Sequence, residues 1–442
     1  MLTKRVPPTH LALLLFSVLC AASMWSYWSR LTLGLTQSLA DTATTRAKPL
    51  SDLYPRWYGT RELFLHHRDP YGVDVSHEIQ IAFYGRLLDA SRPGEPRDQQ
   101  RFAYPLYVVF LLAPFIHMEF HSVQLIFHWL LAAATVGSAA LWQRFVRLSF
   151  SWTAFATLLA MLLGSVAVTE GLSILQLGLL VSCFISAAAV CAASGQLFLS
   201  GAFLALSTIK PQLAVVPIGW FALWALGDWR HRRPLLAGLA ITLGALILAS
   251  EYLLQGWLWR YPDALRAYAD YFGDRSLLMV LLPSVLAWPV TAIVLVTAFR
   301  FCWRARRQPA DSVYFATSLA FALALTVSII PTVVSPFNQV LLLPLVLLLV
   351  RYWNDLWPAN ALTRFAMVAF CGCVFLPWLM TLTLALLPST PQTPWPLHLR
   401  LGPLLTSLAF PCAAFIVPMV MRRVHDSTLV LTRATSSPVK LS

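Results

Sequence analysis

The sequence predicts an all-α polytopic membrane protein. Composition is the first reason: of 442 residues, 58% are hydrophobic and only 12% charged, and the mean hydropathy is +0.67. A water-soluble chain cannot hide that much apolar surface. The second reason is that apolar runs near the ~20 residues needed to cross hydrocarbon recur along the chain. The third is that basic residues gather beside the short connections between those runs, where they orient membrane helices. The same placement accounts for the formal charge of +13. Anionic membrane lipid is the expected partner of these arginines. Nucleic acid is not, because the chain has no basic domain or aromatic-basic platform outside its apolar runs.

About twelve spans are expected by apolar length. The first, 10–30, follows Lys4 and Arg5. It has the build of a signal sequence, and Ser38-Leu39-Ala40 resembles a cleavage site. With so many later spans, an uncleaved first helix is the expected outcome. A polar stretch follows, from about Ala40 to Arg101. It holds nine of the 19 acidic residues: Asp41, Asp52, Glu62, Asp69, Asp74, Glu78, Asp89, Glu95 and Asp98. A short apolar piece, 104–117, contains Pro105 and Pro114. Further spans are expected at 119–143, 152–169, 174–193, 195–209, 211–227, 233–254, 277–300, 312–331, 337–353, 363–387 and 400–421. No internal repeat is apparent. Residues 1–425 are expected to form a single transmembrane domain, with 40–118 as a large extracytoplasmic loop holding amphipathic and re-entrant segments. Residues 426–442 are read as a disordered cytoplasmic tail.

The arginines set the orientation. Lys4/Arg5, Arg144/Arg147, Arg230/Arg232/Arg233, Arg304/Arg306/Arg307, Arg351/Arg364 and Arg422/Arg423 can all lie on the cytoplasmic side, provided 104–117 does not cross the membrane fully. That piece is therefore expected to be re-entrant or laid against the bundle. Irregular backbone at membrane depth is tolerated only when buried in protein or lining a wet cavity. The parity argument thus puts a cavity beside the large loop. It gives the outer face to 40–118, Glu170 to Gln176, Ile209 to Gln212, Gln255 to Ser276, Pro331 to Asn338 and Pro388 to Arg400. The expected location is the plasma (inner) membrane, with the site facing the periplasm or outside.

The seven cysteines (Cys20, Cys183, Cys191, Cys302, Cys371, Cys373 and Cys412) lie in or at the ends of apolar runs. They read as small buried apolar side chains, with no disulfide framework or zinc site. The acids of the loop form no DxD arrangement, so no metal or other cofactor is expected.

The chemistry-bearing candidates gather on the outer face. Asp52 stands just after the first span, at the head of an amphipathic stretch. In that stretch Leu53, Trp57, Leu63 and Phe64 are placed to rest on the bilayer, with Arg56 and Glu62 towards water. Asp52 is read either as a helix N-cap or as a general base at the membrane boundary. Asp69, in Arg68-Asp69-Pro70-Tyr71-Gly72, has the composition of a turn. Lys210, in Ile209-Lys210-Pro211-Gln212, is the sharpest single site. A lysine between two apolar runs either snorkels to headgroups or holds a lipid phosphate. Glu170 and Gln176 flank the start of another span. Arg275 lies in an outer loop with Trp257, Trp259, Tyr261 and Tyr268, which also read as an interfacial belt. Asn338 sits in a short outer turn after Ser335-Pro336. Tyr71 and Tyr104, with Trp57 and Tyr58, offer faces for stacking on sugar rings.

The order Asp52, Arg61, Asp69-Pro70-Tyr71, Phe102-Ala103-Tyr104-Pro105-Leu106, Pro114, Gln176, Lys210-Pro211-Gln212, Ser335-Pro336 resembles glycosyltransferase family 87 over roughly residues 45–350. The resemblance implies a GT-C fold and a polyprenyl-phosphate-sugar donor, as in the polyprenol-phosphate-mannose-dependent α-mannosyltransferases. It also implies a glycolipid or glycan acceptor of the cell envelope. Asp52 matches the catalytic aspartate of the first outer loop, and Lys210 the basic position of the lysine-proline motif. Arg275 and Arg56 are the further cations expected at the donor phosphate. Asp69, Tyr71, Tyr104, Glu170, Gln176, Gln212 and Asn338 are the expected substrate contacts. Phe337-Asn338-Gln339 departs from the family where some relatives carry a histidine. The competing readings are a flippase or transporter of a lipid-linked sugar, an O-antigen-ligase-like transferase, and a non-catalytic scaffold.

Overall fold

The computed structural model describes residues 8–42, 50–89, 91, 98–272, 275–330, 335–387 and 396–421. The expected tail 426–442, together with Arg422 and Arg423, lies outside the described residues. Regular structure among the described residues is entirely helical.

The chain begins with the long apolar helix α1 (Pro8–Thr42). The large loop then folds into two amphipathic helices, α2 (Tyr54–His66) and α3 (Val73–Tyr84). Pro55 sits in the first turn of α2, where its missing N–H costs nothing. Contrary to the expectation of a surface helix, both faces of α2 are covered. Leu53, Trp57 and Leu63 are buried, but so are Arg56 and Glu62, at 5% and 4% exposure. One cover is the 102–118 segment, where Trp57 Nε1 donates to the Phe115 carbonyl at 3.0 Å. The other is an ionic group: Arg68 bonds Glu62 at 2.7 Å and Glu78 at 2.8 Å, and Tyr58 donates to Glu78 at 2.7 Å. The charges of α2 are therefore paired with protein rather than with water.

The piece 104–117 is a broken run: a 3-10 turn (Leu106–Val108), the four-residue α4 (Val109–Leu112) and a second 3-10 turn (Ala113–Phe115). Ten helical residues reach only ~15–20 Å, short of a ~30 Å hydrocarbon core. Both ends pack on α2: Tyr104 under Arg56, and Phe115 and Phe120 beside Trp57.

From there α5 (Phe120–Phe145) runs away from the loop and ends at Arg144. The helix α6 (Trp152–Leu163) returns and bends by 59° into α7 (Val166–Ser173). A bend frees carbonyls that must find donors. Here two indoles supply them: Trp25 Nε1 to Leu163 O at 3.1 Å, and Trp378 Nε1 to Gly164 O at 2.7 Å. Gly164 has to be glycine, because a Cβ there would lie 2.3 Å from the Ala21 backbone of α1.

Next come α8 (Gly178–Ala193) and α9 (Leu197–Ser207), then α10 (Pro211–Gly227) and α11 (Trp229–Leu253). α9 and α11 pack backbone to backbone through Gly201 and Gly238, where added Cβ atoms would meet carbonyl oxygens at 1.9 and 2.1 Å. The amphipathic α12 (Trp257–Phe272) lies at the loop end of the bundle, tied to it by the Arg260–Asp69 ion pair at 2.7 Å. The short α13 (Leu277–Leu281) leads into α14 (Ser284–Ala305), and α15 (Val313–Ile329) forms the buried centre. A 3-10 helix (Pro336–Leu342) runs into α16 (Leu343–Arg351). The short α17 (Trp353–Leu356) leads to α18 (Ala361–Leu386). The last elements are α19 (Leu397–Arg400), α20 (Gly402–Ser407) and α21 (Ala409–Ala413).

Six of these stretches are long and apolar enough to cross a membrane, and the α6–α7 pair makes a seventh if counted as one bent span. The outer surface is apolar to match, with Leu248 at 72% and Phe365 at 71% exposure. This is a multi-pass membrane protein. The dozen spans expected from apolar length are not all of spanning length, because several of the expected segments are short helices of 10–17 residues. The 174–193 run loses its start to a turn around Leu175, whose φ is 55°. The 195–209 run is the 11-residue α9. Apolar length in the sequence includes caps and turns that do not span.

The arginine-rich end is held by Arg232, whose guanidinium donates to Trp224 O (2.8 Å), Arg306 O (2.7 Å) and Gln308 O (3.0 Å). It thus satisfies the C-terminal carbonyls of α10 and α14 together. Arg232→Met strands those carbonyls and is expected to cost roughly 2–4 kcal/mol, read as a fall in Tm of the purified protein. Arg232→Lys, a point charge without the planar fork, should recover only part of it.

Candidate active site

The site is built where α2, α7, α8, α10 and the Pro336–Leu342 turn meet. Lys210 ends the α9–α10 connection just before Pro211, which fixes the first turn of α10. The lysine is 5% exposed. Its Nζ donates to Gln176 Oε1 at 3.0 Å and Asn338 Oδ1 at 3.4 Å, and lies 4.4 Å from the centre of the Phe337 ring. It is therefore a buried cation inside the bundle, not a snorkelling side chain. Its partners are neutral amides and a ring. Among the described residues no carboxylate forms an ion pair with it, and burial pulls the amine down to about 7, so a bound anion would favour its charged form.

Gln176 turns this cation towards Asp52. Its Oε1 is taken by Lys210 and its Nε2 donates to Asp52 Oδ2, so the two partners fix the orientation of the amide. A Schellman turn at the end of α7 places it: Gln176 N–H bonds Gly171 O at 2.8 Å and Leu175 N–H bonds Leu172 O at 3.4 Å. The left-handed residue of this motif is usually glycine, yet here it is the buried Leu175. That strain sits one residue before Gln176, as strain does around functional positions. The same turn holds the Asp52 backbone, whose N–H donates to Ile174 O at 3.1 Å.

Asp52 is half-buried. The N-cap of α2 is Leu53, with no side-chain cap bond, so the capping reading of Asp52 fails. Its carboxylate points instead into the site. Burial pushes the Asp52 carboxyl above its ordinary value, opposed by the charges of Arg56 and Lys210 and by the Gln176 hydrogen bond. Arg56 donates to the Asp52 carbonyl and lies over the Tyr104 ring, 4.4 Å from its centre. Glu170, on α7, accepts from the Phe337 backbone N–H at 2.9 Å. It thereby anchors the start of the turn that carries Asn338.

Asp52, Arg56, Tyr104, Glu170, Gln176, Lys210 and Asn338 thus come together from segments spread over almost 290 residues of chain. The other expected site residues lie outside this cluster. Asp69 makes a turn, accepting from Tyr71 N–H at 2.9 Å, and pairs with Arg260. Tyr71 donates to Tyr104 O at 2.7 Å and so supports the site from outside. Gln212 is half-buried on the first turn of α10. Arg275 is exposed and makes no hydrogen bond or ion pair among the described residues. Sequence reasoning misses Leu175 and Phe337 as parts of the site, since neither carries a polar group. Among the described residues, no group of three or more His, Cys, Asp or Glu side chains is placed to share a metal ion.

The model of glycosyltransferase family 87 matches residues 102–336, more than half of the chain. The chain belongs to glycosyltransferase family 87. It is a membrane glycosyltransferase, and family membership sets the flippase and scaffold readings aside. No curated protein and no solved structure matches it. Within this family 87 chain the matched span contains Tyr104, Glu170, Gln176 and Lys210. Asp52 and Arg56 precede it, and Asn338 follows it by two residues. The place of those three in the site rests on geometry.

Glu170 is separable from the reacting groups. Glu170→Gln keeps an acceptor for Phe337 N–H and should retain most transferase activity. Glu170→Ala releases the turn and should lower kcat/KM roughly tenfold, an effect of one buried hydrogen bond. Steady-state transfer by the two variants checks this.

Proposed function

We propose that this enzyme transfers a hexose or pentose, mannose favoured, from a polyprenyl-phosphate sugar to an envelope lipid or glycan, on the extracytoplasmic side of the plasma membrane and within a GT-C fold. The observation that carries the proposal is the Asp52–Gln176–Lys210 chain: a half-buried carboxylate and a buried ammonium joined through one amide. An acid-base group and an anion-binding cation are the two parts such a transfer needs.

The acceptor hydroxyl attacks the anomeric carbon while Asp52 takes its proton. The new C–O bond forms as the bond from the sugar to the phosphate oxygen breaks. The electron pair leaves on the polyprenyl phosphate, and Lys210 stabilises that charge in a water-poor site. Arg56, held over Tyr104, supplies positive potential beside Asp52 and opposes the upward push that burial gives its carboxyl. Asn338 and Glu170 position the cation rather than touch the sugar. A β-linked donor and one displacement give inversion, in keeping with the family. The arginine-rich end lies opposite the site, which supports an outward-facing centre under the positive-inside rule. The short 104–117 run, both ends on α2, is then the re-entrant floor of the loop.

The test is transfer of label by purified protein from a panel of polyprenyl-phosphate sugars to total envelope lipid. Transfer from one member names the sugar. No transfer from any member, by folded protein supplied with native lipids, would overturn the proposal.

A further inference from the structure

A second carboxylate, Asp98, faces the site from the large loop. Residues 98–104 cross from α3 to α2. At one end Tyr84 Oη donates to the Asp98 carbonyl at 2.7 Å, and Gln80 Nε2 to the Gln99 carbonyl at 3.1 Å. Further along, Phe102 packs on Gly59 of α2, where an added Cβ would lie 2.6 Å from its ring. At the other end Tyr104 lies under Arg56. The segment therefore forms one edge of the site, and Asp98 is half-buried in it. Burial pushes the Asp98 carboxyl above its ordinary value, against the Gln100 N–H. The charge of Asp52 adds to that push and the charge of Arg56 opposes it. Lys210 is acted on by Arg56, Asp52 and Glu170. Asp52 and Arg56 are thus the neighbours that Lys210 and Asp98 share, with the cation to one side of them and the second carboxylate to the other.

The Asp98 carboxylate is aimed. Gln100 holds it, N–H to Oδ1 at 2.9 Å and Nε2 to Oδ2 at 2.8 Å, from a left-handed backbone with φ 48°. Those two bonds take half of the roughly four acceptor positions of a carboxylate. The others are open among the described residues. Beside it in the chain, Gln99 Oε1 and Arg101 Nε are buried without a hydrogen-bond partner. Arg101 also forms no ion pair among the described residues. Unspent polar groups of this kind are uncommon where a chain is packed.

We propose that Asp98, with Arg101 beside it in the chain, holds the hydroxyls of the acceptor's sugar that flank the one undergoing transfer. The inference rests on the reading of the site as a transferase using a lipid-phosphate sugar. It makes the acceptor a polyhydroxylated head group rather than a bare lipid alcohol. A carboxylate repels the donor phosphate, which belongs with Lys210, and accepts strong hydrogen bonds from hydroxyls. Asp52 takes the proton of one hydroxyl, and Asp98, fixed by Gln100, sets which hydroxyl is presented. Asp98 is thus a specificity-determining residue. Both Asp98 and Arg101 precede the span 102–336 that matches the family, so the subsite is a property of this chain's own loop.

The test uses the purified full-length protein, the labelled donor that the parent accepts, and total envelope glycolipid as the acceptor probe. Asp98→Asn should raise the apparent KM for glycolipid about tenfold, as loss of one charged hydrogen bond does. The KM for donor should stay near that of the parent. Arg101→Gln should raise the glycolipid constant in the same direction. Asp98→Asn keeps an oxygen for the Gln100 N–H. If Asp98 only builds the turn, that variant stays parent-like, and a parent-like KM for glycolipid would overturn the proposal. An equal rise for donor and acceptor, the mark of a disturbed site, would also overturn it. Should Asp98→Asn fail to fold, Arg101→Gln decides, because its side chain has no partner to lose among the described residues. Absence of transfer by the parent from every donor is the separate result that removes the underlying reading, and the subsite with it.

Discussion

Asp52→Asn is expected to reduce kcat by about 10²–10⁴-fold, the range for loss of a positioned general base, while donor binding stays near that of the parent. The amide replaces one carboxylate oxygen with a donor but still presents an acceptor to Gln176 Nε2, so the Gln176–Lys210 arrangement survives. What is lost is the ability to take a proton. The parent's pH profile follows from the same group. A base must be ionised to act, and burial holds the Asp52 carboxyl above the ordinary carboxylate range. Activity is therefore expected to fall as pH drops through that raised value, with the acid limb displaced upward from that of an exposed aspartate, and to fall again on the alkaline side as Lys210, pulled down to about 7 by burial, loses its proton. A pH–rate profile of kcat/KM checks the position of the limb.

Lys210→Ala is the second large effect. Removing the ammonium leaves the leaving phosphate without its cation in a water-poor pocket. kcat/KM is expected to fall roughly 10²–10³-fold, comparable to losing one oxyanion donor. In contrast with Asp52→Asn, part of the loss should appear as weaker donor binding, because the phosphate is anionic before as well as during transfer. Lys210→Arg is not expected to rescue it. The ammonium is closely surrounded by the Phe337 ring, the Asn338 and Gln176 amides and the backbone of Gly178, where a Cβ would already lie 3.6 Å from Nζ. A larger planar fork does not fit that space. Donor affinity measured beside kcat separates the two variants.

The parts of this account legible in the sequence are those where chemistry conflicts with hydropathy. A lysine between apolar runs and an aspartate just beyond the first span stand out because burying either is costly. Parity of the arginine clusters flags 104–117, and the structure gives that piece as a broken run too short to cross a membrane alone. Side-chain direction is not legible. Arg56 and Glu62 read as solvent-facing from the amphipathic pattern of α2, but that pattern is silent about a second cover. Arg68 and the 102–118 segment supply it. Asp69 and Arg275 look like site residues by type, but tertiary packing gives Asp69 to Arg260 and leaves Arg275 exposed. The relay through Gln176 joins residues 124 positions apart, a distance at which one sequence carries no pairing signal. The bend between α6 and α7 depends on Trp25 and Trp378, which are equally remote.

The central claim is that the half-buried carboxylate beside the lysine relay performs the proton transfer. Its most direct test is the single-turnover rate of Asp52→Asn with saturating labelled donor, with donor affinity measured on the same preparation. The account predicts parent-like affinity with a rate lower by two orders of magnitude or more. A parent-like rate in the folded variant would contradict it and move the base elsewhere in the loop.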